Sequence, residues 1–153
     1  MTTNAHSWHF FSIGLSHKTS SVVERERFAG IDDAWFRARM ANVDAIGEWV
    51  MLSTCNRVEL YIAGRGEQSL ALQAILPLIA ERTGPAQHAL EDSITVRAGD
   101  EAANHLLSVA SGLESMVVGE SEILGQVSQA YMRAVERGTV GPVLGVLFRT
   151  AIR

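Results

Sequence analysis

Cysteine is nearly missing from this chain: of 153 residues only Cys55 carries a thiol, so no internal disulfide can form. Proline is scarce, with three residues, and leaves few obligatory breaks. No apolar run reaches the ~18–20 residues of a membrane-spanning helix. The start, MTTNAHSWHFF, lacks the basic opening and long apolar stretch of a secretory signal. Positive charge is short as well. Thirteen Lys and Arg face 17 Asp and Glu, a net −4, so any nucleic-acid contact must rest on a local basic patch. No phosphate loop or zinc spacing occurs. Gly64-x-Gly66 follows a predicted strand and opens a helix, but Ser69 stands where a dinucleotide fingerprint has its third glycine, and the match is rejected. These absences point to a cytoplasmic protein of a reducing compartment, with no membrane partner, no metal site and a free thiol.

What is present is an ordinary apolar content, 47%, enough for one compact domain. Trp8 to Leu15 is aromatic and apolar and is predicted as a strand. Ser16 to Ser21 is a polar connection, and Val22 to Phe28 a short helix. Asp32 and Asp33 are candidate caps for a helix through about Met40. Trp49–Leu52 and the alternating Val58–Ala63 read as strands. Gln68 to Arg82 is helical, with a kink or break expected at Pro77 and a stop at Thr83-Gly84-Pro85. Ser93 to Arg97 is a further strand. The remainder has helical period: one helix capped by Gly99 or Asp100 and running to about Gly112, one from Ser121 to Arg137 closed by Gly138, and one from Pro142 onward.

This order predicts an α+β fold. A small, mostly antiparallel sheet in ferredoxin-like βαββαβ order spans about residues 1–98, with helices packed on it. A helical part spans about 99–153. The last helix carries no stop signal, so the expectation is one domain ending mid-helix, at the start of a linker in a longer parent protein.

The chemistry centres on the segment between the two central strands, Ser53-Thr54-Cys55-Asn56-Arg57. A lone cysteine is often a buried structural residue, but this one sits among polar residues at a connection. Arg57, two residues on, can favour a thiolate or hold an anion. Thr54 and Asn56 can hydrogen-bond a substrate. A nucleophilic cysteine is often served by a histidine. His6 lies in the terminus, His9 on a strand face and His88 in a loop, which leaves His17 and His105, between which the residues alone do not choose. Ala110 to Gln126 holds Gly112, Gly119 and Gly125 and the pair Glu120-x-Glu122, and suits either a backbone approach to a ligand or a tight helix corner.

Four segments together resemble one family. Gly14-Leu15-Ser16-His17-Lys18-Thr19 resembles its G-x-[NS]-H-K-T start, and Glu24-Arg25-Glu26 its R-E segment. Leu52 to Tyr61 resembles its L-S-T-C-N-R-x-E-x-Y box. His105 to Gln126 resembles its H-L-x-x-V-A-S-G-L-[DE]-S-[ML]-V-x-G-E-x-Q-I-x-G-Q stretch. The family is glutamyl-tRNA reductase, and the resemblance spans essentially the whole chain. It implies a thioester between Cys55 and the glutamyl group of glutamyl-tRNA, reduced by NADPH to glutamate-1-semialdehyde for tetrapyrrole synthesis. It also implies His105 as the catalytic histidine, Arg57 as the partner of the substrate carboxylate, and Thr54, Asn56 and Ser115 in the glutamate pocket. Glu120, Glu122 and Gln126 match further candidate substrate-binding positions. His17 is expected to be structural. The family has Gln where this chain has Glu122. An ionised carboxylate cannot donate a hydrogen bond and repels an acidic substrate, which counts against Glu122 in the pocket; the alternative to a binding role is that it turns outward or pairs with a basic residue.

The resemblance also implies an NADPH-binding domain and a dimerising domain beyond these residues, a homodimer, and a downstream aminomutase as partner. This chain alone is then expected to perform at most the acyl-transfer or esterase half of the reaction. The alternative is a binding or regulatory module that keeps the fold without catalysis.

Overall fold

A computed structural model describes residues 7–84 and 91–153. His6, His88 and the Pro85 stop lie outside them. The elements are β1 (Trp8–Ser16), α1 (Val22–Ala29), α2 (Ala34–Ala41), β2 (Glu48–Ser53), β3 (Arg57–Arg65), α3 (Gln68–Thr83), β4 (Thr95–Ala98), α4 (Gly99–Ala110), α5 (Glu122–Glu136) and α6 (Pro142–Ile152). The strands form one sheet in the order β2-β3-β1-β4, with every neighbouring pair antiparallel.

The element order departs from a strict βαββαβ because β1 and β2 are joined by two helices. Local capping explains the split. Ser21 and Glu24 form a reciprocal capping box that starts α1, Gly30 closes it, and the Asp33 carboxylate accepts from Phe36 N–H at 2.9 Å to start α2. Asp32 does not cap; it pairs with Arg37 and Arg137 instead. Two further expectations shift. Residues 91–93 form a helical turn, so β4 begins at Thr95 rather than Ser93. The N-cap of α4 is Ala98, and Asp100 falls in its first turn, where a carboxylate favours the helix dipole.

Pro77 lies inside α3 without breaking it. The proline is exposed, and so is Gln73, whose carbonyl loses its helical partner and faces water. The opposite face, Ala71, Ile75 and Ile79, stays buried on the sheet.

Strand alternation sends side chains to two cores. Phe11, Ile13, Leu15, Val58, Leu60 and Ile62 pack under Phe28, Phe36, Met40, Ile75 and Ile79 on one face. Val50, Leu52, Tyr61 and Ala63 pack under Leu106, Val109, Val127, Leu144 and Phe148 on the other. The sheet is thus a middle layer, and the C-terminal helices cover its second face. Glu48 pins α6 there. Its buried carboxylate accepts from the backbone N–H groups of Gly141 (2.9 Å), Val143 (3.1 Å) and Leu144 (2.8 Å), three of the donors a helix start leaves unpaired. Phe148 of α6 then meets Tyr61 edge-on, with ring centroids 5.4 Å apart.

Candidate active site

Cys55 occupies the turn between β2 and β3 and is exposed. The turn is held from within. The Thr54 hydroxyl accepts from the N–H groups of Asn56 and Arg57, both at 3.2 Å, and Thr54 N–H donates to the Arg57 carbonyl at 2.8 Å. It is also held from outside. His17 N–H donates to the Asn56 carbonyl (2.7 Å), and Arg25 of α1 donates from Nε to the Cys55 carbonyl (3.3 Å) and from a terminal nitrogen to the Ser20 carbonyl (2.7 Å). Thr54 and Cys55 line a groove against Val22, Arg25, Glu26 and Ala29, with about 340 Å3 of empty space including its mouth.

A second cleft, about 360 Å3 with its mouth, lies beside the turn and is lined by Ser16, Lys18, Arg57, Glu59, Arg97 and His105 among others. Arg57, Glu59 and Tyr61 alternate along β3 and so share the face that looks at α4. Glu59 is the hub. One carboxylate oxygen lies 3.0 Å from an Arg57 terminal nitrogen and 2.8 Å from His105 Nε2, and the other accepts from the Tyr61 hydroxyl. All four side chains are buried. Burial would raise the Glu59 carboxyl, but the His105 hydrogen bond, the His105 charge and the Arg57 guanidinium hold it below the usual carboxylate range. Burial, reinforced by Glu59, pushes the Tyr61 hydroxyl well above its usual value. Gly14 leaves room for this part of β3: it pairs with Glu59 across β1–β3, and a Cβ there would meet the Val58 carbonyl oxygen first and then Glu59 Cα and Cγ, both at 2.8 Å.

The glycine-bounded loop after α4 closes over this cleft. Gly112 adopts φ +81°, and its carbonyl accepts from the N–H groups of Ser115 (3.2 Å) and Gly119 (3.1 Å). Arg57 donates to the Glu114 carbonyl at 2.6 Å, while the Glu114 carboxylate pairs with Lys18 at 2.9 Å. Ser115, Glu120 and Gln126 are half-buried, and Glu122 is exposed in the first turn of α5, where the helix dipole favours it.

Four of the expected residues divide between two adjoining hollows, while Asn56, Ser115, Glu120, Glu122 and Gln126 line neither. Thr54 and Cys55 line the first, and Arg57 and His105 the second; no hydrogen bond joins Cys55 to His105. His17 contributes its backbone to the turn, and its ring Nδ1 is buried without a partner among the described residues.

The model of the N-terminal domain of glutamyl-tRNA(Glu) reductase matches residues 13–153. The chain belongs to the glutamyl-tRNA reductase family. It is 43% identical to the glutamyl-tRNA reductase of Rubrobacter xylanophilus and 41% identical to that of Pseudomonas putida, in each case over 92% of this chain and 33% of the relative. The solved glutamyl-tRNA reductase from Methanopyrus kandleri superposes with a TM-score of 0.71 at 38% identity, covering 94% of this chain and 32% of that one. The chain thus spans about a third of the length of these reductases.

Sequence reasoning missed several residues that the structure gathers around these two hollows. Glu59 and Tyr61 were signalled by the period-2 spacing Arg57-x-Glu59-x-Tyr61, which places three polar groups on one strand face. Arg97 lines the cleft and has no ion pair among the described residues. Lys18, Arg25 and Glu114 fall inside the matched segments, but the contacts that give them a part here, Lys18 with Glu114 and Arg25 with the Cys55 carbonyl, span long sequence separations and left no local signal. The Gly64-x-Gly66 turn follows an antiparallel strand, and among the described residues no strand–helix–parallel strand unit is present. Among the described residues no helix is long and apolar enough to cross a membrane.

Proposed function

We propose that this chain performs the acyl-transfer half of the glutamyl-tRNA reductase reaction, with Cys55 as the nucleophile. The observation that carries the reading is the exposed lone thiol, fixed on a turn cross-tied by Thr54, His17 and Arg25, beside a cleft with a buried Glu–His pair and arginines. Attack forms a bond from Cys55 Sγ to the glutamyl carbonyl carbon and breaks the ester bond to the tRNA ribose. The thiol proton ends on the departing ribose oxygen, and His105 is the group suited to carry it. On this reading Thr54, Asn56, Ser115, Glu120, Glu122 and Gln126 form the glutamate-binding set; of these, Thr54 lines the Cys55 groove.

Arg57 uses two of the five donors of its guanidinium on Glu59 and Glu114, which leaves three for the substrate carboxylate. Arg97 adds a second positive charge to the same cleft, which suits an acidic substrate. In the whole protein NADPH supplies the hydride that converts the thioester to glutamate-1-semialdehyde for tetrapyrrole synthesis. On the same reading the whole protein is a cytoplasmic homodimer that passes its reactive aldehyde to an aminomutase.

The reading is tested by incubating this chain with glutamyl-tRNA, with and without NADPH, and titrating Cys55 with iodoacetamide. Glutamyl-tRNA is expected to block alkylation in both mixtures, with no semialdehyde in either. Semialdehyde from this chain alone would overturn the division of labour, and alkylation untouched by glutamyl-tRNA would overturn the role of Cys55.

A further inference from the structure

We infer that Glu59 is a positioning residue that fixes the tautomer of His105, so that Nδ1 of the neutral ring is the atom that takes up and returns the proton in the cleft. The donor count at Glu59 sets the tautomer. An ionised carboxylate can only accept hydrogen bonds. Glu59 Oε1 lies 2.8 Å from His105 Nε2, so Nε2 must carry the hydrogen of that contact. The paired Arg57 guanidinium and the Tyr61 hydroxyl both present hydrogens to the same carboxylate, which favours its ionised form. A neutral imidazole has one N–H. With Nε2–H committed to Glu59, the lone pair of the neutral ring is on Nδ1.

Nδ1 is free to act. No residue among those described bonds to it, it is not among the buried unpartnered atoms, and the ring lines the cleft. The hub also sets where the ring stands. Glu59 cannot retreat, because three donors hold it and Gly14 backs it across the strand pair. The same Oε1 that holds His105 holds Arg57 at 3.0 Å, so one carboxylate aligns the proton carrier with the cation proposed for the substrate carboxylate. A carboxylate behind a histidine generally fixes both tautomer and ring orientation in this way.

The consequence for catalysis rests on the acyl-transfer reading above, but the tautomer itself does not. The experiment is nitrogen NMR of the chain labelled with 15N-histidine, read on the neutral form of the ring. The native protein should show a protonated Nε2 and an unprotonated Nδ1. In Glu59→Gln, whose amide can turn its NH2 toward the ring, the bias should be lost and the two tautomers should mix. Tyr61→Phe removes a different hydrogen bond from the same carboxylate and should keep the native tautomer. In acyl-transfer kinetics Glu59→Gln should lower kcat by about 100-fold, within the span of general acid–base catalysis, with KM changed far less. A protonated Nδ1 in the native chain would overturn the inference even if Glu59→Gln fails to fold, and so would an unchanged tautomer in a folded Glu59→Gln. If the native tautomer is as stated and no acyl transfer occurs, the functional reading fails and the role of Glu59 stands.

Discussion

Replacing Glu48 tests how the sheet holds the helix that backs the site. The Glu48 carboxylate is 3% exposed and accepts three backbone N–H groups at the start of α6, two on one oxygen and one on the other. In Glu48→Gln the amide oxygen can still serve Gly141 and Leu144, but the amide nitrogen faces Val143 N–H and strands it. A stranded buried donor costs about 1–3 kcal/mol. Loss of the negative charge at a partly buried helix N-terminus costs up to about 2 kcal/mol more. The sum is about 3 kcal/mol, a large part of the roughly 5–15 kcal/mol of a whole domain. With a urea slope of about 2 kcal/mol/M, the unfolding midpoint should fall by about 1.5 M. Tryptophan emission suits the assay, since Trp49 is the next residue and nearly buried. Because Phe148 meets Tyr61 edge-on, the same change should loosen the Tyr61–Glu59 contact and lower acyl transfer. A midpoint shift below about 0.3 M would refute the cap as the anchor of α6.

Three further outcomes follow from the site. Gly14→Ala should push Glu59 off its position, costing about 1–3 kcal/mol as an overpacked site and at least tenfold in acyl transfer, checked by urea unfolding and single-turnover assays. His105→Asn should lower acyl transfer by about 100-fold while leaving the binding of a glutamate analogue nearly unchanged; unchanged transfer would reduce His105 to a packing residue. Stability should fall at both pH extremes. Glu59 has a lowered folded value, so its stabilisation is present above the ordinary carboxylate range and lost as pH falls through the folded value; Tyr61 has a raised one, so stability drops once pH climbs past about 10 and the unfolded chain ionises first. Urea midpoints against pH check both limbs, and Tyr61→Phe should flatten the alkaline one.

Much of the fold was legible because its signals are local. Alternation marked β3, Asp33 marked the start of α2, and glycines marked the ends of α3, α4 and α5. Pro77 did not break α3, because the hydrogen bond it removes falls on the exposed side of the helix. The candidate site could be read as a set of residues and not as an arrangement. That Gly14 makes room for Glu59 depends on the β1–β3 register, which long-range packing sets. That Arg57 spends part of its fork on the Glu114 carbonyl depends on a loop 57 residues away. The separation of the Cys55 groove from the His105 cleft likewise follows from the way β1 and α1 flank the turn.

The central claim, that Cys55 is acylated, is tested most directly by intact-mass spectrometry of the chain after brief exposure to glutamyl-tRNA without NADPH. The account predicts a single glutamyl adduct, mapped by digestion to Cys55 and missing in Cys55→Ser. An adduct that persists in Cys55→Ser, or a native chain that stays unmodified while its thiol remains reactive, would contradict it.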